Sequence, residues 1–261
     1  MSQPSIGREI QVVKPTQQWT GVMLFSTARF GGVSHAPFDS LNLGLGSGDD
    51  VDKVAANRDL LRALIPNNPY WLKQVHGDVV HQIDEQTDSS PRSVPVGDAS
   101  VTSSPGCVLA ILTADCLPVV IADNQATVLG VAHAGWRGLA AGVLDRTVER
   151  MRQLRPDAQD FRAWIGPAIG QDSFQVGRDV FDAFVATQPE TEKFFKIDYR
   201  QPEKWLADLA GLAEHRLRQA GVTNVEQSGL CTVTDSQQRF FSYRRDKNTG
   251  RMATIAWLQQ K

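Results

Sequence analysis

The chain is poor in residues that bind metals or form bridges: three cysteines and five histidines in 261 residues. An odd, widely spaced set of cysteines builds no disulfide framework and points to reduced thiols, hence to a cytoplasmic setting. No secretory leader is expected either, because "MSQPSIGREIQ" lacks a basic segment followed by an apolar one. An apolar run of bilayer length is also missing, since the best candidate is interrupted by Asp123 and Asn124. Charge of neither sign dominates: 27 Lys and Arg stand against 29 Asp and Glu, a net −2 that excludes general attraction to nucleic acid or anionic membrane. Repeats, low-complexity tracts and flexible Gly/Ser linkers are absent as well. A single domain over 1–261 is therefore expected, with roughly the first 18 residues peripheral.

What is present is ordinary for a globular protein, with 41% hydrophobic and 21% charged residues. Strand-like runs occur at "VLAIL" (108–112), "PVVIA" (118–122), "TVLGVAHA" (127–134), "FRAWIG" (161–166), "RFFSY" (239–243) and "MATIAWL" (252–258). Helical spacing places Val51, Val54, Leu61 and Ile65 on one face behind Asp49 or Asp50 as N-cap. The stretch 138–156 predicts a second helix, with Leu139, Val143, Met151 and Leu154 inward and Pro156 as its stop. A third helix is predicted from Trp205 to Ala220, ended by Gly221. Two polar stretches, 84–97 and 187–204, read as surface loops. Strands and helices mix without steady βαβ alternation, so the expected class is α+β, a single domain of mixed β-sheets flanked by helices.

One segment, "LTADCLPVVIADNQATVLGVAHAGWRG" (112–138), carries chemistry. Its two apolar runs flank the break Asp123–Ala126, short enough for a hairpin. A loop symmetric about the Asn124–Gln125 bond pairs Ala122 with Thr127 and Cys116 with His133. Directly opposed residues share a face with β-carbons about 4.5–5.5 Å apart. A thiolate and an imidazole so placed can share a metal ion or form a nucleophile–base pair. A one-residue bulge would put them on opposite faces. Free cysteines mostly just fill space, and Cys107 and Cys231, with no histidine similarly placed, read as core. His76, in "WLKQVHGDVV", ends a short apolar run and is the third candidate. His81 reads as a solvent-facing strand residue, and His35 and His215 as solvated. Cys116, His133 and His76 would give zinc one sulfur and two nitrogens with a fourth position left for water, the pattern of catalytic sites. No CxxC or HExxH motif accompanies them. "AGWRG" (134–138) joins strand to helix. Its glycines either admit an anion to helix N–H groups beside Arg137 or simply permit a tight turn.

These residues resemble a known family. "STARFGGVS", "SLNLG", "NRDLL", "QVHG", "LTADCLPVVIAD", "AHAGWRG", "WIGPAIG", "FQVG", "DLAGLAEHRLRQAGV" and "RFFSYRRDKNTGRMA", in order from about Thr20 onward, are similar to the laccase-like "multicopper polyphenol oxidase" family. That family is also described as peptidoglycan editing factor and as purine nucleoside phosphorylase. The resemblance implies an α+β domain holding zinc or copper through the histidine of "QVHG", the cysteine of "ADCLP" and the histidine of "AHAGWRG": His76, Cys116 and His133 here. One departure is Gly46 in "LGSGDD", where many members carry a histidine.

Five histidines cannot furnish a blue-copper site and a multinuclear copper cluster together. One metal with an open position suits group transfer or hydrolysis, because it brings bound water toward a pKa of about 7. The leading expectation is purine nucleoside phosphorolysis, with adenosine deamination in the same pocket. Asp115 or Asp98 are candidates for proton transfer, and Arg137 and Arg58 for contacts to phosphate or ribose. Arg244 and Arg245 either line the pocket or pair with Asp246. A metal-free alternative makes Cys116 the nucleophile and His133 its base, acting on an amide such as a misincorporated amino acid of a cell-wall precursor. A third possibility is metal binding without turnover. Expected partners are a small purine nucleoside and phosphate, with neither nucleic acid nor membrane.

Overall fold

The run "LPVVIA" shows no alternation of apolar and polar residues because, as a strand, it is buried on both faces along its whole length. It lies at the centre of a computed structural model that describes residues 9–84 and 94–260. The elements begin β1 (Val12–Val13), β2 (Val22–Thr27), α1 (Val51–Arg62), β3 (Pro69–Tyr70), β4 (Val80–Gln82) and β5 (Ala99–Thr102). The middle of the chain forms β6 (Val108–Thr113), β7 (Leu117–Ala122), β8 (Leu129–Ala134), α2 (Trp136–Ala141), α3 (Val143–Leu154) and β9 (Arg162–Ile165). Then follow β10 (Gln175–Val176), α4 (Arg178–Val185), β11 (Phe195–Ile197), β12 (Trp205–Ala207), α5 (Leu209–Gln219), β13 (Asn224–Gln227), α6 (Tyr243–Asp246) and β14 (Met252–Leu258).

Two main sheets result, a five-stranded one ordered β1-β2-β14-β6-β3 and a six-stranded one ordered β13-β9-β7-β8-β5-β4, beside a small β10-β12-β11 sheet. Both main sheets are mixed: β3–β6, β4–β5 and β9–β13 pair parallel, and their other ladders are antiparallel. They pack face to face through Leu109, Ile111, Val120, Leu129, Val131 and Trp164. The alternate residues of β7, Val119 and Ile121, point the other way, onto α3 and α5 through Val148, Met151, Leu212 and Leu217. The outer face of the five-stranded sheet is closed by Leu61 of α1 against Ala110 and Ile255. The molecule is a single α+β domain of helix, sheet, sheet and helix layers. Each such fully buried aliphatic side chain contributes about 1.5–3 kcal/mol. Gly130 lets α3 lie tight on β8, since a Cβ there would sit 2.8 Å from Met151 Sδ and 2.9 Å from Thr147 Cγ2. Among the described residues no helix is long and apolar enough to cross a membrane.

Several local expectations need correcting. The 123–126 break is a six-residue loop, 123–128, because Asp123 turns back to accept Thr127 N, Thr127 Oγ1 and Val128 N. The register therefore pairs Ala122 with Leu129 and His133 with Pro118 rather than Cys116. The second helix is interrupted at Gly142, whose φ of 94° ends α2 and starts α3. Trp205–Ala207 is strand, and the third helix starts only after Asp208, which caps it by accepting Gly211 N. "RFFSY" joins no ladder: Phe240 and Phe241 plug a small core with Met252, and Ser242 caps α6. The stretch 187–204 is no bare surface loop, since it carries a 3₁₀ turn and β11 and buries Thr191 and Phe195. Of the other polar stretch, 85–93 lies outside the described residues, as do 1–8 of the N-terminal segment. The rest of that segment contributes β1, the two-residue edge strand paired with β2. α1 begins behind Asp50, which accepts from Asp52 N.

Candidate metal centre and its pocket

Three segments bring the metal-binding residues together. Cys116 immediately precedes β7, His133 lies in β8, and His76 comes from the loop after β3. Their candidate ligand atoms lie within 4.8 Å of one another, and this is the one such cluster among the described residues. The shift in register by two positions leaves Cys116 on the same face as His133, because a strand repeats every two residues. The rings of His76 and His133 meet edge to face with centroids 4.8 Å apart. Gly135 makes the room: a Cβ there would stand 2.8 Å from His76 Cδ2 and 3.1 Å from Cys116 Sγ.

Asp98, fully buried just before β5, holds two of the three ligands. Its Oδ1 accepts His76 N at 2.9 Å and His133 Nδ1 at 2.8 Å. Its Oδ2 accepts Val75 N at 3.1 Å and Gly77 N at 2.8 Å. Three successive N–H groups on one carboxylate support the unusual backbone of His76, at φ 61°. The bond to Nδ1 turns Nε2 of His133 toward the thiol, the usual carboxylate–histidine support of a metal ligand. Burial opposes ionisation of Asp98, but the His133 bond and these N–H groups outweigh it and hold its pKa below the ordinary carboxylate value.

Cys116 and His133 polarise each other. Burial pushes the Cys116 thiol up, yet the charges and hydrogen bonds of His133 and His76 bring it down to about 6. Burial pushes His133 down, while Cys116 and Asp98 raise it to about 9. The thiolate is thus stabilised before any ion arrives. A soft thiolate and two imidazoles, with His133 oriented by Asp98, fit zinc or copper.

The cluster opens into a pocket of about 630 Å³. Arg137 lines it from the rim, its guanidinium 4.3 Å over the Trp136 ring. Asp115, at φ 97°, also lines it, with both carboxylate oxygens occupied by Thr232 Oγ1 and Arg244 N, each at 2.6 Å. Asp98 and Asp115 are therefore positioned by fixed donors, which suits holding the site better than moving protons. Arg58 is not brought to the lining: its guanidinium donates to Leu43 O and stacks 4.2 Å over Trp71. Of the adjacent arginines, Arg244 lines the pocket and Arg245 pairs with Asp246. The glycines of "GWRG" serve close packing, since a Cβ on Gly138 would lie 2.6 Å from Gly77 O. Gly46 lines the pocket with nothing within 4 Å of its would-be Cβ.

The remaining histidines stay outside the cluster. His81 Nε2 contacts Val96 O, His35 is exposed, and His215 is half-buried beside Glu190 rather than fully solvated. Cys107 and Cys231 are half-buried rather than core. Sequence reasoning missed Arg251 and Lys73, which also line the pocket. Arg251 immediately precedes β14, and a charge abutting a strand so apolar was the available signal.

Comparison with known proteins agrees with this architecture. The family model of multi-copper polyphenol oxidoreductase laccases matches residues 23–259. A purine nucleoside phosphorylase of Xylella fastidiosa is 49% identical over 247 residues, 91% of this chain and 93% of that protein. The purine nucleoside phosphorylase YfiH of Escherichia coli is 43% identical, covering 95% of this chain and 98% of its own. The crystal structure of Neisseria meningitidis NMB0706 superposes with a TM-score of 0.84 at 39% identity, covering 97% of this chain and all (100%) of the other. The chain thus belongs to the laccase-like family that includes YfiH, with a His–Cys–His cluster able to coordinate a metal ion.

Proposed function

We propose that the protein is a metal-dependent purine nucleoside phosphorylase, acting on inosine and adenosine and also deaminating adenosine, with methylthioadenosine a further candidate substrate. The observation that carries this reading is a three-ligand cluster opening directly into a cation-rich pocket. The names carried by close relatives support it. His76, Cys116 and His133 would hold zinc, which supplies a Lewis acid with an open position.

The chain's own groups position the reactants. Trp136, Phe174 and Tyr243 offer aromatic surface for a purine, and Arg137 offers charge-assisted bonds to phosphate. In the reaction a phosphate oxygen forms a bond to ribose C1′ as the C1′–N9 bond breaks. The purine leaves with the bonding pair and takes a proton from dihydrogen phosphate or solvent, leaving ribose 1-phosphate. Deamination uses water instead and releases the C6 amino group as ammonia.

The test is base release with and without phosphate. Inosine should yield hypoxanthine only when phosphate is supplied. Arg137→Ala should raise the phosphate requirement about tenfold or more, the worth of one charged hydrogen bond, with metal content unchanged and adenosine deamination less affected. Phosphate-independent release of free ribose contradicts the reading.

Two other readings rest on specific observations. The family's oxidoreductase description and the two-imidazole, one-thiolate donor set favour copper-dependent polyphenol oxidation. Phenol oxidation by the copper-loaded but not the zinc-loaded protein would establish it. The mutual stabilisation of the Cys116 thiolate and His133 imidazolium favours a cysteine amidase. Amide hydrolysis surviving complete metal removal would establish that one.

A further inference from the structure

Two arginines in the pocket wall carry donors that the protein itself does not use. Arg244 anchors Nη1 on the carbonyls of Ser173 and Gln175, both at 3.1 Å. Arg251 anchors Nη1 on Thr249 O at 2.7 Å and Gly250 O at 2.9 Å. Both side chains are half-buried. Among the described residues neither has a carboxylate within 4.0 Å, although eight other arginines do. Each guanidinium is thus fixed along one arm in a residue that lines the pocket, with Nε and Nη2 donating to no protein group among the described residues. Pre-set forks of this kind recognise phosphate or carboxylate through two parallel bonds.

The surroundings add to the imbalance. Lys73 and Arg137 line the exposed rim of the same pocket. Asp115 is the single carboxylate in the lining, and its two oxygens are already occupied. Four cations facing one acid, in a chain of net charge −2, concentrate positive charge where the reactants bind. Inorganic phosphate, the co-reactant of the phosphorylase reading, fills one fork. A neutral nucleoside leaves the other with no anion on its open donors: the negative groups that act on Arg251, Cys116 and Asp115, are already engaged by His133 and His76 and by Thr232 and Arg244.

We propose that the preferred substrate carries the second anion itself and is a purine nucleoside 5′-monophosphate. This rests on the phosphorylase reading and narrows its substrate class. A phosphate monoester suits the second fork because it brings three acceptor oxygens and close to two negative charges. A pocket of about 630 Å³ accommodates a ligand of that size. The bond changes are those of phosphorolysis. An oxygen of inorganic phosphate joins C1′ as the C1′–N9 bond breaks, and the purine takes a proton from dihydrogen phosphate or solvent. The products are the free base and ribose 1,5-bisphosphate.

The experiment compares inosine 5′-monophosphate with inosine on the metal-loaded full chain, by calorimetric binding and by phosphate-dependent hypoxanthine release. The monophosphate should bind at least tenfold more tightly and show a kcat/KM higher by about the same factor, the worth of one charged fork. Arg251→Lys, which keeps the charge but loses the fork, should reduce that preference severalfold while metal content stays at the wild-type level. Arg244→Lys repeats the test should the first variant lose its metal or its fold. If inosine is phosphorolysed and its monophosphate is no better, the substrate assignment falls and the phosphorylase reading stands. If neither compound is split, the phosphorylase reading falls and the assignment with it. A preference unchanged in both variants overturns the assignment of the second fork.

Discussion

Asp98 and Asp123 stand at opposite ends of β8, are both buried, and both gather chain N–H groups onto one carboxylate. Asp123 takes Thr127 and Val128 and thereby closes a loop. Asp98 takes Val75, His76 and Gly77, and adds the imidazole of His133. The same device folds a turn at one end and, at the other, supports a cluster able to coordinate a metal ion. What separates them is the fourth donor: a histidine held by one ring nitrogen keeps the other for an ion. A buried, multiply bonded carboxylate is therefore not itself a sign of function.

Replacement of a ligand should have the largest effect. Cys116→Ala removes the thiolate and should abolish stoichiometric metal binding, read by elemental analysis; full occupancy in that variant would rule out the ligand set. Asp98→Asn comes next. Both oxygens of Asp98 face donors, so an amide NH₂ at either place opposes an N–H group. Metal affinity should fall about 10–100-fold and stability by about 1–3 kcal/mol, measured by competition with a chelator and by denaturant titration. The same change at the other end should be mild. In Asp123→Asn the Oδ1 can keep both backbone bonds, and the hydroxyl of Thr127 can turn to accept from the new NH₂. The expected cost is under about 1 kcal/mol, with metal content unchanged. Metal loss in Asp123→Asn as severe as in Asp98→Asn would break the comparison.

Much of this site was legible in the sequence, for a reason that tolerates error. The loop between β7 and β8 is two residues longer than symmetry suggested, and the direct partner of His133 is Pro118. A shift of two preserves the face, so Cys116 and His133 still converge; a shift of one would have separated them. The two-layered sheet core was legible as apolar runs. Less visible were β2 (Val22–Thr27) and α4 (Arg178–Val185), absent from the expected elements. Trp205–Ala207 looked helical because its apolar residues continue the spacing of α5, and the Asp208 cap that divides them acts through a backbone turn. The cations of the pocket were the hardest to place. Lys73 reaches it from one segment and Arg244 and Arg251 from another, distant one, and no periodicity within a segment records which loops meet. Arg58 shows the converse, an arginine that looked available but is held by Leu43 O.

The proposed centre is a single ion held by two imidazoles and one thiolate in the lining of the pocket. X-ray absorption at the metal edge of the protein as purified tests it most directly. The expected result is one zinc or copper per chain, with one sulfur neighbour at about 2.3 Å and two imidazole nitrogens at about 2.0–2.1 Å. A first shell without sulfur, or with several sulfurs, would contradict it.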